Sequence, residues 1–463
     1  MQARHNHCDP LGETGVEELA QSDPQVWAEF FRETSQKELD NLTRERQHMA
    51  RQRGTTDLSH AGASLAKEDF VAARLPLLQA STHPSYCYTS REFYELEVER
   101  IFLREWLCVG RVDQVEKPGD YFTLRLLGES LVVVRDREGE IRVLSTVCRH
   151  RGMEIVEGAG ARRSFECPYH GWTYSLRGEL MGAPEMEKTE NFDKRQCQLP
   201  SLRAESWEGF IFVNFDLQAQ PLGPALAGLS QQLKNYKLSE MRSIEPLVYD
   251  CNWNWKIMVE NMMECYHHLG LHRDTVEPLM PGRLTTTEDL DGAYAIMHLP
   301  TIEQDVGLSG QGSYVKRMEA LSLLPVIEGL SPEERGKAIV FTVYPTHMVI
   351  LTPDSMIYYQ AFPEGADRMT LRITLCVPPS TMERPDVAQS LKQARDFIVM
   401  FNNQDMWACE SVQRGLSSRL ARPGRYCHLE KAIWQISRYV MRRVLETEDT
   451  AYDDPSAKEA SDS

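Results

Sequence analysis

Cys148-Arg-His150 and, after an interval of 16 residues, Cys167-Pro-Tyr-His170 each set a thiol close to an imidazole. This pair of motifs restricts the fold more than any other feature of the chain. Four metal-grade donors in two short stretches require two loops of one small unit to face each other. An iron–sulfur centre with two sulfur ligands on one iron and two nitrogen ligands on the other needs this donor set, and its nitrogen-ligated iron makes it easier to reduce than an all-Cys cluster. Four-coordinate zinc also uses two Cys and two His, but zinc fingers usually keep the two Cys together and the two His together. The order here, C-x-H and then C-x2-H, favours the iron–sulfur reading.

The chain has 463 residues, enough for two or three domains with a large core. Its net charge of −17 argues against nucleic acid or an anionic membrane surface as the main partner. It is compatible with docking a protein that bears a basic patch. No apolar run reaches the length of a spanning helix, and the first residues, MQARHNHCDPLGETG, lack a secretory core. Eleven scattered Cys fit a reducing cytoplasm better than a disulfide framework.

Residues 1–80 read as a polar extension, with helix possible over 24–52, and order is expected from about Tyr88. Thr89 with Glu92 resembles a capping box, and Phe93, Leu96, Ile101 and Trp106 form a helical stripe. From Tyr121 the period shortens: YFTLRLL, LVVVR, IRVLSTV and later EGFIFVNF predict strands, with DREGE as a hairpin turn. A small all-β unit is therefore expected over about 105–215, within a domain at 81–220. NWNWKIMVENMMECYHHLGLH (252–272) reads as one helix, and 386–416 as another. Between them KAIVFTVY, MVILTP, MIYYQAF and MTLRITLCV predict strands. Sheet plus flanking helices gives an α+β expectation for a second domain at 221–445. Residues 446–463 are acidic, poor in apolar side chains and expected to be disordered.

A second metal site is suggested by Glu264, His267 and His272 on one predicted helix and Asp405 on the other. Asp405 shares a stripe with Phe397, Phe401, Ala408 and Val412, and a carboxylate on an apolar face is costly unless paired or metal-bound. Two imidazoles and one carboxylate, with coordination positions left open, suit non-haem Fe(II) that activates O2. A lone buried His is more often a hydrogen-bonded core residue, so the coincidence with the cluster motif carries the argument. On an ideal helix His267 and His272 stand about 140° apart. His268 and His272 share a face more easily, unless Gly270 permits a break.

CRHRG (148–152), CPYHGWTYSLRGEL (167–180), E-N-x2-E-x-Y-H-x4-H and a late Q-D on a helix resemble the large subunit of the Rieske non-haem iron oxygenases, from about Tyr88 to Leu416. The resemblance implies an all-β Rieske domain joined to a catalytic domain of antiparallel sheet flanked by helices. It implies one [2Fe–2S] cluster on Cys148, His150, Cys167 and His170, and one mononuclear Fe(II) on His267, His272 and Asp405. His268 then becomes a pocket residue. Glu264 takes the place of the Asp that most members use to bridge the two redox centres, and Glu here resembles the branch acting on quaternary ammonium compounds. The resemblance further implies a reductase or ferredoxin electron donor and a small organic substrate oxidised with O2, either an aromatic compound that is hydroxylated or a quaternary ammonium compound that is demethylated or hydroxylated. Electrons would cross from His150 or His170 through Glu264 to His267 of an adjacent subunit, most simply in a homotrimer.

Trp172 and Tyr174 are placed to shield the cluster, to donate to its sulfurs, or simply to pack. Phe341, Tyr344, Tyr358, Tyr359 and Phe362 are candidate pocket aromatics, of which alternation along strands lets about half face one side. The competing functional class is an iron–sulfur electron-transfer protein without oxygenase activity, which predicts no iron triad. A zinc interaction module predicts a colourless protein.

Overall fold

The computed structural model describes residues 70–301 and 324–445. The expected helix at 24–52 and the expected disordered tail at 446–463 lie outside these residues. Order begins earlier than Tyr88: Phe70, Ala73 and Ala80 are buried. Arg425 and Trp434 donate to the carbonyls of Leu78, Ala80 and Leu75, which holds this leading segment against the C-terminal part.

The first layer is antiparallel. Strands β1 (Leu107–Arg111), β2 (Asp120–Leu126), β3 (Glu129–Arg135), β4 (Ile141–Ser145) and β5 (Ala159–Ala161) join two later strands in a seven-stranded sheet. A separate ribbon of β6 (Phe165–Glu166), β7 (Thr173–Tyr174) and β8 (Leu180–Gly182) carries the second Cys/His loop. The sheet is completed by β9 (Ser201–Trp207) and β10 (Phe210–Asn214), in the order β1-β10-β9-β4-β3-β2-β5. Val132, Val134, Leu144, Phe165, Trp172 and Tyr174 form one apolar cluster with Cys148 and Cys167, so sheet and ribbon share a core directly under the metal loops.

The second sheet contains β11 (Arg242–Ser243), β12 (Leu247–Cys251), β13 (Thr286–Thr287), β14 (Tyr294–Pro300), β15 (Lys337–Val343), β16 (His347–Leu351), β17 (Met356–Gly365) and β18 (Arg368–Val377). All its pairings are antiparallel, with β11 and β12 both on β18. Helix α1 (Arg91–Glu97) precedes the first sheet, and α2 (Trp255–Met262), α3 (Val387–Leu416) and α4 (Lys431–Leu445) flank the second. The α+β expectation holds. Among the described residues no helix is long and apolar enough to cross a membrane.

Three local expectations change. The cap of α1 is Ser90, whose hydroxyl accepts the Phe93 N–H at 3.1 Å, one residue later than Thr89. The helix predicted over 252–272 ends at Met262, and a short 3-10 turn (Tyr266–Leu269) follows. Its start is set by Asn254, which caps Lys256 N–H while its own N–H donates to Gln413 of α3. Third, α4 packs Ile433, Ile436, Val440 and Val444 inward at helical spacing, an element with no counterpart among the expected ones.

Candidate active site

The two cluster loops are built alike. In the first, Cys148 N–H donates to Met153 O and Gly152 N–H to Cys148 O, at 2.8 and 3.0 Å. In the second, Cys167 N–H donates to Trp172 O and Gly171 N–H to Cys167 O, at 2.7 and 3.0 Å. Both glycines have positive φ, 78° and 71°, which closes each loop in a conformation that costs a side-chain-bearing residue more. Each Cys thus sits at the buried base of a loop and each His at its exposed tip. The His150 and His170 ring centroids are 4.6 Å apart, and His150 stacks on Trp172 at 4.8 Å. Burial raises the pKa of Cys167, and the adjacent Cys148 thiol adds to the rise. Two inward thiols and two outward imidazoles are the division that a two-iron centre with sulfur on one iron and nitrogen on the other requires.

Tyr174 is fully buried beneath this pair. Its hydroxyl accepts the Arg149 N–H at 3.0 Å and lies 3.3 Å from Cys148 Sγ. Trp172 stacks on His150 instead of reaching a sulfur.

The second set converges where the helix 252–272 was expected to continue. Once α2 has ended, Glu264 organises the next turn: Oε2 accepts His267 N–H at 3.0 Å and Oε1 lies 2.6 Å from His267 Nδ1. One carboxylate therefore fixes both the backbone and the ring of His267. Gly282 packs so closely on this turn that an added Cβ would lie 2.0 Å from Cys265 O, so only glycine fits. His272 is held from α3, its Nδ1 2.8 Å from Gln404 Oε1. With both Nδ1 atoms engaged, each Nε2 is left to face Asp405 Oδ1, at 3.7 Å for His267 and 2.9 Å for His272. Asn261 Nδ2 donates to the same oxygen at 3.2 Å. One donor atom from each of His267, His272 and Asp405 lies within 4.8 Å of the others, which fits a single ion bound by two imidazoles and a carboxylate. Burial works against a charged His272, but Asp405 and Gln404 outweigh it and raise its pKa.

His268 lines the cavity, as expected of a pocket residue, with its Nδ1 3.1 Å from Met280 O. Burial, with His267 beside it, lowers its pKa to about 4, so it is neutral near pH 7. The helix-face choice of His268 fails because residues 264–272 are not α-helical, and the angular objection to His267 disappears with the helix.

His267, His272 and Asp405 open onto a cavity of about 130 Å³ lined also by Val276, Leu299, Val340, Ile350, Phe397 and Phe401. The expected pocket aromatics do not line it. Phe341 and Tyr358 belong to the core between the two sheets, Tyr344 stacks on Tyr439, Tyr359 is fully buried, and Phe362 lies under Arg372. Phe397 and Phe401, 5.5 Å apart, supply the rings instead. They were legible as part of the Asp405 stripe but read there as core. The buried face of α3 is Ala394, Ile398, Asn402, Asp405 and Cys409, one step round the helix.

Asn261, Glu264 and His267 also line an outer groove with Tyr266, Leu269, Trp407 and Val412. Trp407 is 65% exposed and Tyr266 49%. These three residues are therefore a partition between an inner apolar cavity and an outer apolar groove.

The family described as Rieske [2Fe-2S] domain matches residues 105–193, and that described as ring hydroxylating alpha subunit (catalytic domain) matches 238–446. The carnitine monooxygenase oxygenase subunit of Acinetobacter baumannii is 30% identical over 354 residues, 73% of this chain and 86% of that protein. The chloroplastic choline monooxygenase of Arabidopsis thaliana is 29% identical over 372 residues, 77% of this chain and 82% of the plant protein. A crystal structure of a quaternary ammonium Rieske monooxygenase superposes with a TM-score of 0.69 at 25% identity, covering 83% of this chain and all of that one.

Proposed function

The chain belongs to the Rieske non-haem iron oxygenases, and we propose that within this family it oxidises a carbon attached to the nitrogen of a small quaternary ammonium compound. Membership makes it a terminal oxygenase with one [2Fe–2S] cluster and one mononuclear iron, fed with electrons by a reductase or ferredoxin. When bound, the cluster supplies single electrons and the ferrous ion supplies O2 activation.

Our assignment gives Cys148, His150, Cys167 and His170 to the cluster and His267, His272 and Asp405 to the mononuclear iron. The observation that carries it is the convergence of two Nε2 atoms and one carboxylate oxygen on the wall of an apolar cavity. Glu264 and Gln404 engage the two Nδ1 atoms, which turns each Nε2 toward Asp405 and the place where an ion would bind. Asn261 orients Asp405, and the apolar walls exclude water from the reacting carbon.

The substrate class rests on the lining. Lys and Arg are absent from the described lining, while Glu264 and Asp405 bring carboxylates and Phe397 and Phe401 bring ring faces. That wall accepts a cation or a neutral molecule and disfavours an anionic centre. The relatives named for carnitine and choline, and the Glu in the bridging position, support the cation.

We also propose a cytoplasmic head-to-tail homotrimer. His150 and His170 are exposed at the loop tips with Arg149 and Arg151 beside them, and the apolar groove carries Glu264 on its floor. A neighbouring copy seated there would bring an exposed imidazole to Glu264.

Loaded protein should hold about three irons per chain, two from the cluster and one mononuclear. It should release formaldehyde, or a hydroxylated product, from N-methylammonium compounds with coupled NAD(P)H oxidation. Two irons per chain with a fully occupied cluster would favour the electron carrier. Turnover confined to neutral aromatics would move the substrate class to ring hydroxylation.

A further inference from the structure

The cavity has two polar ends, and the one far from the metal donors has no role so far. Tyr359 lies near enough to Asp405 to feel its charge, so that part of β17 marks the metal end. Ile357, two residues back, lines the cavity, and the β16–β17 turn lies beyond it. Helix α3 runs the same way: Ile398 shares a small cleft with Leu375, the partner of Ile357. The cavity therefore extends from Asp405 past Phe401 to Phe397, a rise of about 12 Å along the helix.

Thr352 lines the cavity at that far end. Its hydroxyl is 2.7 Å from Asp354 Oδ1, to which it donates, and also lies 2.9 Å from Ser355 Oγ and 3.2 Å from Ser355 O. Ser355 Oγ also donates to Oδ1, at 3.0 Å, and Leu324 N–H donates to Oδ2 at 3.3 Å. Asp354 is 7% exposed. Burial raises the pKa of Asp354, and the three converging donors oppose that rise. With its single proton committed inside this turn and one lone pair facing Ser355 Oγ, Thr352 Oγ1 has its remaining lone pair to offer the cavity and no proton.

We propose that Thr352 is a specificity-determining residue that accepts a hydrogen bond from the far end of the substrate, with Asp354 as the positioning residue that sets its direction. The substrate end taken there is a hydrogen-bond donor, a hydroxyl in the simplest case. A carboxylate finds no donor at Thr352 and meets the acceptor oxygens of the Asp354 carboxyl behind it. Resting on the ammonium reading above, this makes the preferred substrate an N-methylammonium compound ending in hydroxyl and not in carboxylate.

The test measures binding by calorimetry and turnover by product formation for two matched pairs: choline with glycine betaine, and benzyl alcohol with benzoate. On the wild-type protein choline should bind at least tenfold more tightly than glycine betaine. Thr352→Val should cut that ratio about tenfold by weakening choline, raising KM with little change in kcat. Thr352→Ser, which keeps the hydroxyl, should preserve the ratio and controls for folding. Asp354→Asn should tighten glycine betaine. Glycine betaine binding as tightly as choline, or a ratio untouched by Thr352→Val, overturns the assignment while leaving the ammonium reading intact. Preference for benzyl alcohol over benzoate with no binding of either ammonium compound sinks the ammonium reading and keeps the far-end acceptor. Binding of none of the four overturns both.

Discussion

The proposed cluster donors sit on two neighbouring loops of one ribbon-and-sheet core, whereas the proposed mononuclear donors His272 and Asp405 are 133 residues apart and meet only through tertiary packing. The first set is organised by backbone: two equivalent loops, each closed by a left-handed glycine. The second is organised by side chains, with Glu264, Gln404 and Asn261 each fixing one donor residue. A backbone-built site is insensitive to most side-chain changes around it. A site built from side chains depends on every partner of its ligands.

The sharpest break in that comparison comes from Asp405→Ala. It should drop iron from about three to about two per chain, abolish oxygenation and leave the reduced-cluster spectrum unchanged. An unchanged iron count would remove Asp405 from the ligand set.

Glu260 extends the contrast to pH. It lies half-buried on α2 and accepts the Tyr88 hydroxyl at 2.7 Å. Burial raises its pKa from 4.5 to about 7, against the opposing pull of Tyr88 and Lys256. Between those values the unfolded chain is ionised and the folded chain is not. Folding then takes up a proton, and stability falls as pH rises through the window, by up to about 3 kcal/mol. Glu260→Gln keeps an acceptor for Tyr88 and should flatten the dependence of Tm on pH between 5 and 8. A wild-type slope retained in the variant would show that another group titrates.

Glu264→Gln should keep both centres but lower turnover about 10–100-fold, read as slowed reoxidation of the reduced cluster in single-turnover experiments. Loss of the mononuclear iron would instead make Glu264 a ligand. The smallest effect is expected on the backbone-built side. Tyr174→Phe removes the hydroxyl beside Cys148 Sγ, and the cluster should persist with its reduction equilibrium about tenfold less favourable, ~59 mV for one electron. Loss of the cluster in this variant would show that side chains matter there as much as at the iron site.

The same contrast explains what could be read from the chain. Cys148, His150, Cys167 and His170 declare themselves because loop geometry ties their spacing to their chemistry. Strands β2, β3, β4 and β10 of the first sheet and β15 to β18 of the second were legible as β-branched runs, whereas β1, β9, β12 and β14 were not read as strands; α3 as a long amphipathic stretch matches within one residue at its start. His267 was not legible from periodicity, because what ends α2 and recasts 264–272 is the Glu264 carboxylate and the close approach of Gly282, neither of which has a helical signature. Thr352 was invisible for a related reason: its role depends on a buried turn partner two residues away and on which end of a cavity the turn closes. The pocket aromatics were sought on strands, where rings are common in any sheet core, while the rings that line the cavity lie on a helix face of mixed exposure.

The partition formed by Asn261, Glu264 and His267 is a single layer of side chains with the substrate chamber on one side and the groove on the other. If a neighbouring copy docks in the groove as proposed, reducing equivalents and organic substrate reach the same imidazole from opposite faces and never share a doorway. A molecule lodged in the groove over Trp407 would throttle turnover while leaving substrate affinity untouched, giving noncompetitive inhibition from a surface that the reactant never visits.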